Sequence, residues 1–500
     1  MTLSRSPRDT APEGRDLDAS IRPQRSRRSV CLLTTTLALC GISVSLQQSL
    51  LLPLVSDLPR LLDTSVDDAS WIITATLLTG TVAIPIVSRL ADMYGKKRLL
   101  LVTLGVLALG SALGAVTSSV PLLICARSLQ GVGLALVPVG IAVMRDELPH
   151  DRVSMGVALL GASIAIGAGV GLPLSGVISE HFDWHTVFYV TAVIGVLLFA
   201  AIWFVVDESP VRAGGRFDYT GAVVLSIALL ACMLALSKGE TWGWTSTTTL
   251  VLAAFGVVTL VIWVCWETRI DGPLIDVRVA ARPTVLVVNL ASLLLGFGQF
   301  LNLLMTSLLL HLPTSAEMGF GLSVMETGLW MAPVALAFGA AAPFAAAMTK
   351  ARGPGFSLVA GAAVIVTAFV LRCFFHQELW QVLVGATAAA VGTSMTYAAM
   401  PILIMWSMPV TQSASANGLN TLIRYLGTST SSAVVAAVTA ASATSVHSGP
   451  SERAIVGLFL AAAAAAGVAG LAALTTLSKK PAHPADAADD PAAAAATSIT

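Results

Sequence analysis

The stretch SRLADMYGKKRLL, residues 88–100, places four cations around the single carboxylate of Asp92. It separates two apolar stretches, near 69–89 and 99–119, each of the roughly 20 residues that a helix needs to cross a bilayer. Cationic loops between such helices stay on the cytoplasmic side of a membrane. This stretch, the charge loop, therefore predicts a short inward turn between two membrane-spanning helices.

The rest of the chain is equally apolar, with 56% hydrophobic and 11% charged residues. A water-soluble domain cannot bury that much apolar surface, so the composition predicts an all-α polytopic membrane protein. About fourteen segments have the length and apolarity of a membrane-spanning helix. They lie near 30–55, 69–89, 99–119, 121–144, 154–179, 185–206, 219–236, 247–266, 284–309, 325–349, 355–372, 379–404, 413–443 and 454–477.

Lysine and arginine are distributed unevenly between alternate loops. With the N-terminus inside, the outward loops hold only about four cations, which are Arg60, Lys238, Arg372 and Arg453. This asymmetry predicts that both termini are cytoplasmic. The polar ends, residues 1–29 and 478–500, are predicted to be disordered cytoplasmic tails.

Two distant stretches resemble each other. SLLLPLVSDLP begins at Ser49 and SLLLHLPTSAE begins at Ser307. Each serine is followed 46 residues later by a glycine in a basic loop, Gly95 in one copy and Gly353 in the other. Either an internal repeat or a chance match between leucine-rich stretches explains this similarity.

The helix count favours the repeat. Six segments (30–206) precede an inserted pair (207–268), and six segments (269–477) follow it. Two parallel six-helix repeats are a known transporter architecture, with the substrate site between them near the bilayer midplane.

At the charge loop the chain resembles the major facilitator superfamily, and its fourteen-helix drug:proton antiporter branch in particular. The family pattern G-x-L-a-D-r-x-G-r-k is matched except that Ser88 replaces the leading glycine. The resemblance implies that Asp92 holds the outward-facing state closed against the start of the helix near 413. A loop that only sets topology is the alternative, with its cations at the anionic leaflet. The residues assigned to this gating loop are Asp92, Gly95, Lys96, Lys97 and Arg98.

Three further patterns carry the resemblance. Arg127 and Gln130 stand in R-x-x-Q-G-x-G, a motif linked in the family to proton coupling; the alternative is an arginine that extends outward to water. The fifth helix resembles the antiporter motif G-P-x-x-G-G, and ordinary helix packing explains its glycines equally well. The third pattern consists of three polar residues on one face of a late helix. Such a face indicates either a hydrated surface or buried interhelical hydrogen bonds. The residues of the last two patterns are Gly167, Gly171, Pro173 and Gly176, and Asn417, Asn420 and Arg424.

The substrate cavity is predicted from polar and methionine side chains on the first helix of each repeat. Relatives often carry an aspartate in the first helix where this chain has glutamine, so the carboxylate that carries the proton stays unassigned. Packing is the alternative role for each candidate. The candidates are Gln47, Gln48, Asn289, Gln299, Asn302 and Met305.

The resemblance implies a secondary active transporter that exports small amphipathic compounds from a bacterial cell across the plasma membrane, in exchange for protons. Proton-coupled uptake of a small organic solute is the alternative. An enzyme is not expected, because the seven histidines are scattered and no H-E-x-x-H or G-x-S-x-G motif occurs. We expect a monomer in the lipid bilayer with a small-molecule substrate, and no cofactor, metal or nucleic acid.

Overall fold

The computed structural model describes residues 27–51, 54, 58–314, 318–442 and 450–477. The predicted tails, 1–29 and 478–500, lie outside this part of the chain apart from residues 27–29 at the start of the first helix. Fourteen long helices and no strand occur in the described residues. They are α1 Arg27–Ser49, α2 Val66–Tyr94, α3 Lys96–Ala115, α4 Val120–Glu147, α5 His150–His181, α6 Thr186–Val205, α7 Tyr219–Trp242, α8 Thr247–Glu267, α9 Pro283–His311, α10 Val324–Arg352, α11 Pro354–Phe374, α12 Leu379–Ser407, α13 Ser413–Ser442 and α14 Glu452–Ala473.

Thirteen of these helices are apolar enough to cross a membrane, and α13 is the exception. This 30-residue helix carries Asn417, Asn420 and Arg424 together with many serine and threonine residues. It packs against α2, α4, α7 and α9, which shield it on several sides. A polar helix can lie within a membrane when neighbouring helices, and not lipid tails, surround it. The predicted count of about fourteen helices is confirmed.

Large apolar side chains remain exposed along the outer helices. Leu197 and Phe204 of α6 are 64% and 83% exposed, and Val257 and Ile262 of α8 are 56% exposed each. Contiguous apolar surface of this kind is unfavourable in water and favourable against lipid tails. The chain is a multi-pass membrane protein.

The two sets of six helices pack in the same way. The first helix of each set contacts the fifth (α1 on α5, α9 on α13), and the third contacts the sixth (α3 on α6, α11 on α14). Between the sets, the second helix of each packs on the fifth of the other, α2 on α13 and α10 on α5. This reciprocal arrangement confirms the predicted pair of six-helix repeats.

The repeated glycines occupy equivalent turns. Gly95 alone separates α2 from α3, and Gly353 alone separates α10 from α11. Their φ angles are +118° and +90°, a region that side chains with a Cβ rarely adopt. The sequence match at 46-residue spacing therefore reflects one turn used twice.

The inserted helices α7 and α8 pack on each other, and α7 also lies against α2 and α13. Lys238 of α7, predicted in an outward loop, is instead buried within the helix. Its amine donates to Ser70 Oγ over 2.6 Å and lies 4.6 Å from the ring centre of Trp71. The prediction was wrong because α7 extends six residues past its predicted end at 236, to Trp242.

Candidate functional site

The carboxylate of Asp92, near the end of α2, is fully buried against the first turn of α13. It accepts hydrogen bonds from Ala414 N at 3.0 Å, from Ser415 N at 2.8 Å and from Ser415 Oγ at 2.7 Å. Unpaired N–H groups and the helix dipole make this end of a helix attractive to an anion. Asp92 thus joins the first repeat to the second at the helix that the sequence resemblance indicated.

The replacement of the family's leading glycine by Ser88 has a structural counterpart. Ser88 is fully buried, and Gly418 of α13 faces it. A Cβ added to Gly418 would lie 2.7 Å from Ser88 Cβ, closer than real Cβ contacts come. In this protein the glycine at the contact is therefore on α13 and not on α2. Its lack of a side chain lets the two helices approach as closely as a glycine at position 88 would.

We expect Gly418→Ala to destabilise the protein by about 1–3 kcal/mol, because the added methyl overpacks the α2–α13 contact. The double variant Ser88→Gly with Gly418→Ala restores the space on the other helix. Thermal unfolding of the detergent-purified protein and transport activity measure both effects. A double variant that is no more stable than Gly418→Ala alone would contradict this explanation.

The cations of the charge loop have protein partners. Lys96 is buried and forms an ion pair with Asp146 of α4, whose carboxylate also accepts from Ser209 Oγ over 2.6 Å. Lys97 donates to the carbonyl of Trp203 over 2.8 Å, and Arg98 lies beyond it toward the surface. Lys96 does not face the anionic leaflet, because α4 and the chain after α6 enclose it. The alternative of a loop that only sets topology therefore does not account for this residue.

The segment between α6 and α7 crosses the charge loop. Glu208 accepts from Lys97 N at 3.3 Å and lies 3.6 Å from Arg98 Nε. The backbone N–H of Ala213 donates to the Asp92 carbonyl over 2.7 Å. The turn at Gly95 leaves room for Glu208, since a Cβ there would lie 2.7 Å from Glu208 Cδ.

A central cavity of about 300 Å³ lies between the two repeats. Helices α1, α2 and α5 of the first repeat and α9, α10, α12 and α13 of the second contribute to its wall. Leu77, its residue on α2, precedes Asp92 by 15 positions, or about 22 Å of helix. The Asp92 contact therefore lies outside the cavity, toward the charge-loop end of the bundle. The predicted residues that line the cavity are Gln48, Gln299, Asn302 and Arg424.

Three predicted cavity residues lie elsewhere. Gln47 is one position from Gln48, a rotation of about 100° on a helix, so it points into the first repeat and donates to the Gln130 carbonyl over 3.2 Å. Asn289 accepts from Asn420 Nδ2 over 3.0 Å inside the second repeat. Met305 is completely buried in the core of that repeat.

Arg127 belongs to a buried polar network inside the first repeat and does not line the cavity. Its guanidinium donates to Gln130 Oε1 over 2.7 Å and to the carbonyls of Gln47 and Ile72, each over 3.3 Å. Gln130 in turn donates to Ser111 Oγ over 2.8 Å. With 3% of its surface exposed, Arg127 does not extend outward to water.

The three polar residues of α13 have different surroundings. Asn417 donates to the Ser413 carbonyl in its own helix over 2.9 Å. Asn420 donates to Asn289 and, over 2.6 Å, to Ser292 Oγ of α9. Arg424 alone reaches the central cavity. Buried interhelical bonds thus account for Asn420, whereas Arg424 faces an open space.

The sequence matches a family of known proteins over most of its length. Residues 37–432 fit the family model of the Major Facilitator Superfamily. The chain belongs to the major facilitator superfamily. Proteins of this family and fold are transporters, and this transporter has the two six-helix repeats described above.

Similar proteins include two that are named for resistance to drugs. Multidrug resistance protein Stp of Mycobacterium tuberculosis (strain CDC 1551 / Oshkosh) is 26% identical over 389 residues, 77% of this chain and 71% of that one. The tetracenomycin C resistance and export protein of Streptomyces glaucescens is 26% identical over 390 residues, 75% of this chain and 69% of that one.

Two solved structures share the fold. The human organic anion transporter MFSD10 aligns with a TM-score of 0.63 and 15% identity, over 89% of this chain and 99% of that one. The proton:xylose symporter XylE aligns with a TM-score of 0.61 and 12% identity, over 90% and 96%. These likenesses concern the fold alone.

The fifth-helix glycines of this transporter fall into two groups. A Cβ on Gly167 would lie 3.0 Å from Ser45 Cβ of α1, and one on Gly171 would lie 2.9 Å from Ser49 Cβ. Gly176 has open space where its Cβ would be, and Pro173 lies within α5. Close packing of α1 on α5 therefore explains Gly167 and Gly171, as expected for small residues between membrane helices.

Sequence reasoning missed Arg372, which it placed in an outward loop. The residue is buried in α11 and donates to Asn302 Oδ1 and, over 3.1 Å, to Thr306 Oγ1 of α9. The ring centre of Phe459 lies 4.3 Å from its guanidinium carbon. The available signal was the apolar pattern that continues through Phe374, which keeps the helix going past the charge.

Proposed function

We propose that this transporter exports small amphipathic compounds, drugs or secondary metabolites, from a bacterial cell in exchange for protons. The observation that carries the proposal is the central cavity between the repeats, closed on one side by Asp92 at the start of α13. A cavity that opens to one side at a time is what alternating access requires.

The charge loop carries the cations expected on the cytoplasmic side, which supports a cytoplasmic closed side and cytoplasmic termini. Two features favour export over uptake. Relatives are named for multidrug resistance and for tetracenomycin C export. The fifth helix carries part of the antiporter motif.

Proton coupling is assigned to buried polar groups outside the cavity. None of the described residues that line the cavity is an aspartate or a glutamate. Asp92 is a buried carboxylate between the repeats, and its protonation removes the charge that attracts the start of α13. Arg127 and Gln130 form a second buried polar network, with α1, α2 and α3, and we assign it to proton coupling within the first repeat.

Everted membrane vesicles test this proposal with the wild type and Arg127→Ala. A pH gradient is established, a panel of antibiotics and dyes is added, and the lumen pH is recorded. We expect some compounds to dissipate the gradient with the wild type and none to do so with the variant. We also expect Arg127→Ala to retain exchange of labelled for unlabelled compound, which needs no net proton movement.

Loss of exchange as well as coupling would identify a folding defect, and Arg127→Lys then repeats the comparison with the charge retained. A wild type that dissipates the gradient with no compound of the panel, at confirmed expression, contradicts broad drug export. Compound accumulation driven in the opposite direction would establish uptake.

A further inference from the structure

Arg424 is a cation in the central cavity without a neutralising group. Its guanidinium carbon lies 4.6 Å from the ring centre of Tyr397, whose hydroxyl donates to Gln299 Oε1. No hydrogen bond or ion pair to another described residue engages the guanidinium. Tyr397 and Gln299 therefore contact the guanidinium side of the cavity without contributing a negative charge.

The charge balance of the cavity is one-sided. Among the described residues of its wall, Arg424 is the only charged one. Two buried cations of the first repeat do have oxygen acceptors: Lys96 has the Asp146 carboxylate, and Arg127 has Gln130 Oε1 and two backbone carbonyls. A charge at membrane depth is costly unless water or an opposite charge accompanies it. The cavity therefore has a position suited to an anion.

The remaining wall suits an aromatic body attached to that anion. Phe300, Phe338 and Tyr425 line the same space with aliphatic side chains. Its volume of about 300 Å³ corresponds to a compound of two or three fused rings. A planar guanidinium binds a carboxylate or sulfonate through two parallel hydrogen bonds. A phenolate has one oxygen and accepts one such bond.

We propose that Arg424 is the anion-recognition residue of the cavity and that the cargo is an amphipathic aromatic anion. This proposal rests on the proposed function, since it names the compound class of the same cavity. Tyr397 holds the guanidinium toward the open space, and the aromatic wall binds the ring system of the cargo.

The test is a charge series on one ring system: 1-naphthoate, 1-naphthamide and 1-naphthylmethylammonium. Binding is measured by equilibrium dialysis on the full chain in lipid nanodiscs, without a gradient. We expect the wild type to bind 1-naphthoate about tenfold more tightly than the amide, and the ammonium most weakly. Arg424→Gln is expected to bind naphthoate and amide within about twofold of each other. Arg424→Lys keeps the charge but loses the planar, two-bond pairing, so we expect a smaller preference for naphthoate that has the same sign.

The matched control is Arg453→Gln, which removes the same charge at an exposed position on the first turn of α14. We expect it to leave the order of the three probes unchanged. Equal binding of the probes, binding of none, or a preference that survives in Arg424→Gln overturns the proposal. If Arg424→Gln does not fold, the wild type and Arg424→Lys still decide it.

Binding and transport measurements distinguish the anion site from proton-coupled export. A naphthoate preference without any gradient-driven movement in everted vesicles supports the anion site and contradicts proton-coupled export. Proton-coupled export with no preference for the anion supports the proposed function and contradicts the anion site.

Discussion

Lys96→Met is expected to lower the free energy of unfolding by about 3–5 kcal/mol, because it leaves the Asp146 carboxylate buried without its cation. Lys96 and Asp146 are 1% and 2% exposed, so water does not replace the missing charge. Thermal unfolding of the detergent-purified protein measures the loss. The effect is the largest that we expect from a single substitution in the charge loop.

The double variant Lys96→Met with Asp146→Leu removes both charges and is expected to recover most of that stability. Lys97→Met is the matched control, since its amine bonds to a backbone carbonyl near the surface. If Lys96→Met and Lys97→Met unfold at the same temperature, the buried pair contributes nothing to stability and the prediction fails.

Asp92→Ala is expected to open the charge-loop end of the bundle and to reduce transport at least tenfold. The substitution leaves two N–H groups and the Ser415 hydroxyl without their acceptor. A hydrogen bond to a charged group contributes about 1.5–3 kcal/mol, enough to change the ratio of closed to open molecules by about tenfold or more. Asp92→Asn keeps the shape and one acceptor oxygen, so we expect an intermediate result.

Spin labels at Tyr94 and Val410, both exposed and on opposite sides of this contact, report the opening as a longer distance between them. Asp151→Ala removes an exposed carboxylate from the first turn of α5 and serves as the charge-matched control. An unchanged distance distribution in Asp92→Ala would show that the carboxylate does not hold this end closed.

Much of this architecture follows from the sequence because membranes impose simple requirements. A spanning helix needs an unbroken apolar stretch, and a charged turn must lie outside it, so the helix count and the charge loop were predictable. The contact of Asp92 with the helix near 413 came from the family resemblance. Nothing local in the sequence indicates which helix end, more than 300 residues later, receives the carboxylate.

The rotation of each helix was not predictable from one sequence. Gln47 and Gln48 are equivalent by composition, yet only Gln48 faces the cavity. Arg372 and Lys238 were misplaced for a related reason, because their helices end where tertiary contacts allow and not where the first charge occurs. The complementary fit of Ser88 and Gly418 depends on how two distant helices meet.

Helix α7 and the segment that precedes it bond to α2 at two distant points. At the charge-loop end the Ala213 N–H is bound to the Asp92 carbonyl, and at the other end Lys238 and Ser237 bond to Ser70 and Thr74. Against α13, by contrast, α7 lies in packing contact. We therefore expect the inserted pair α7–α8 to move together with α2 if the repeats separate along the α2–α13 seam. In that position it would cover the seam from the side and keep lipid tails out of it.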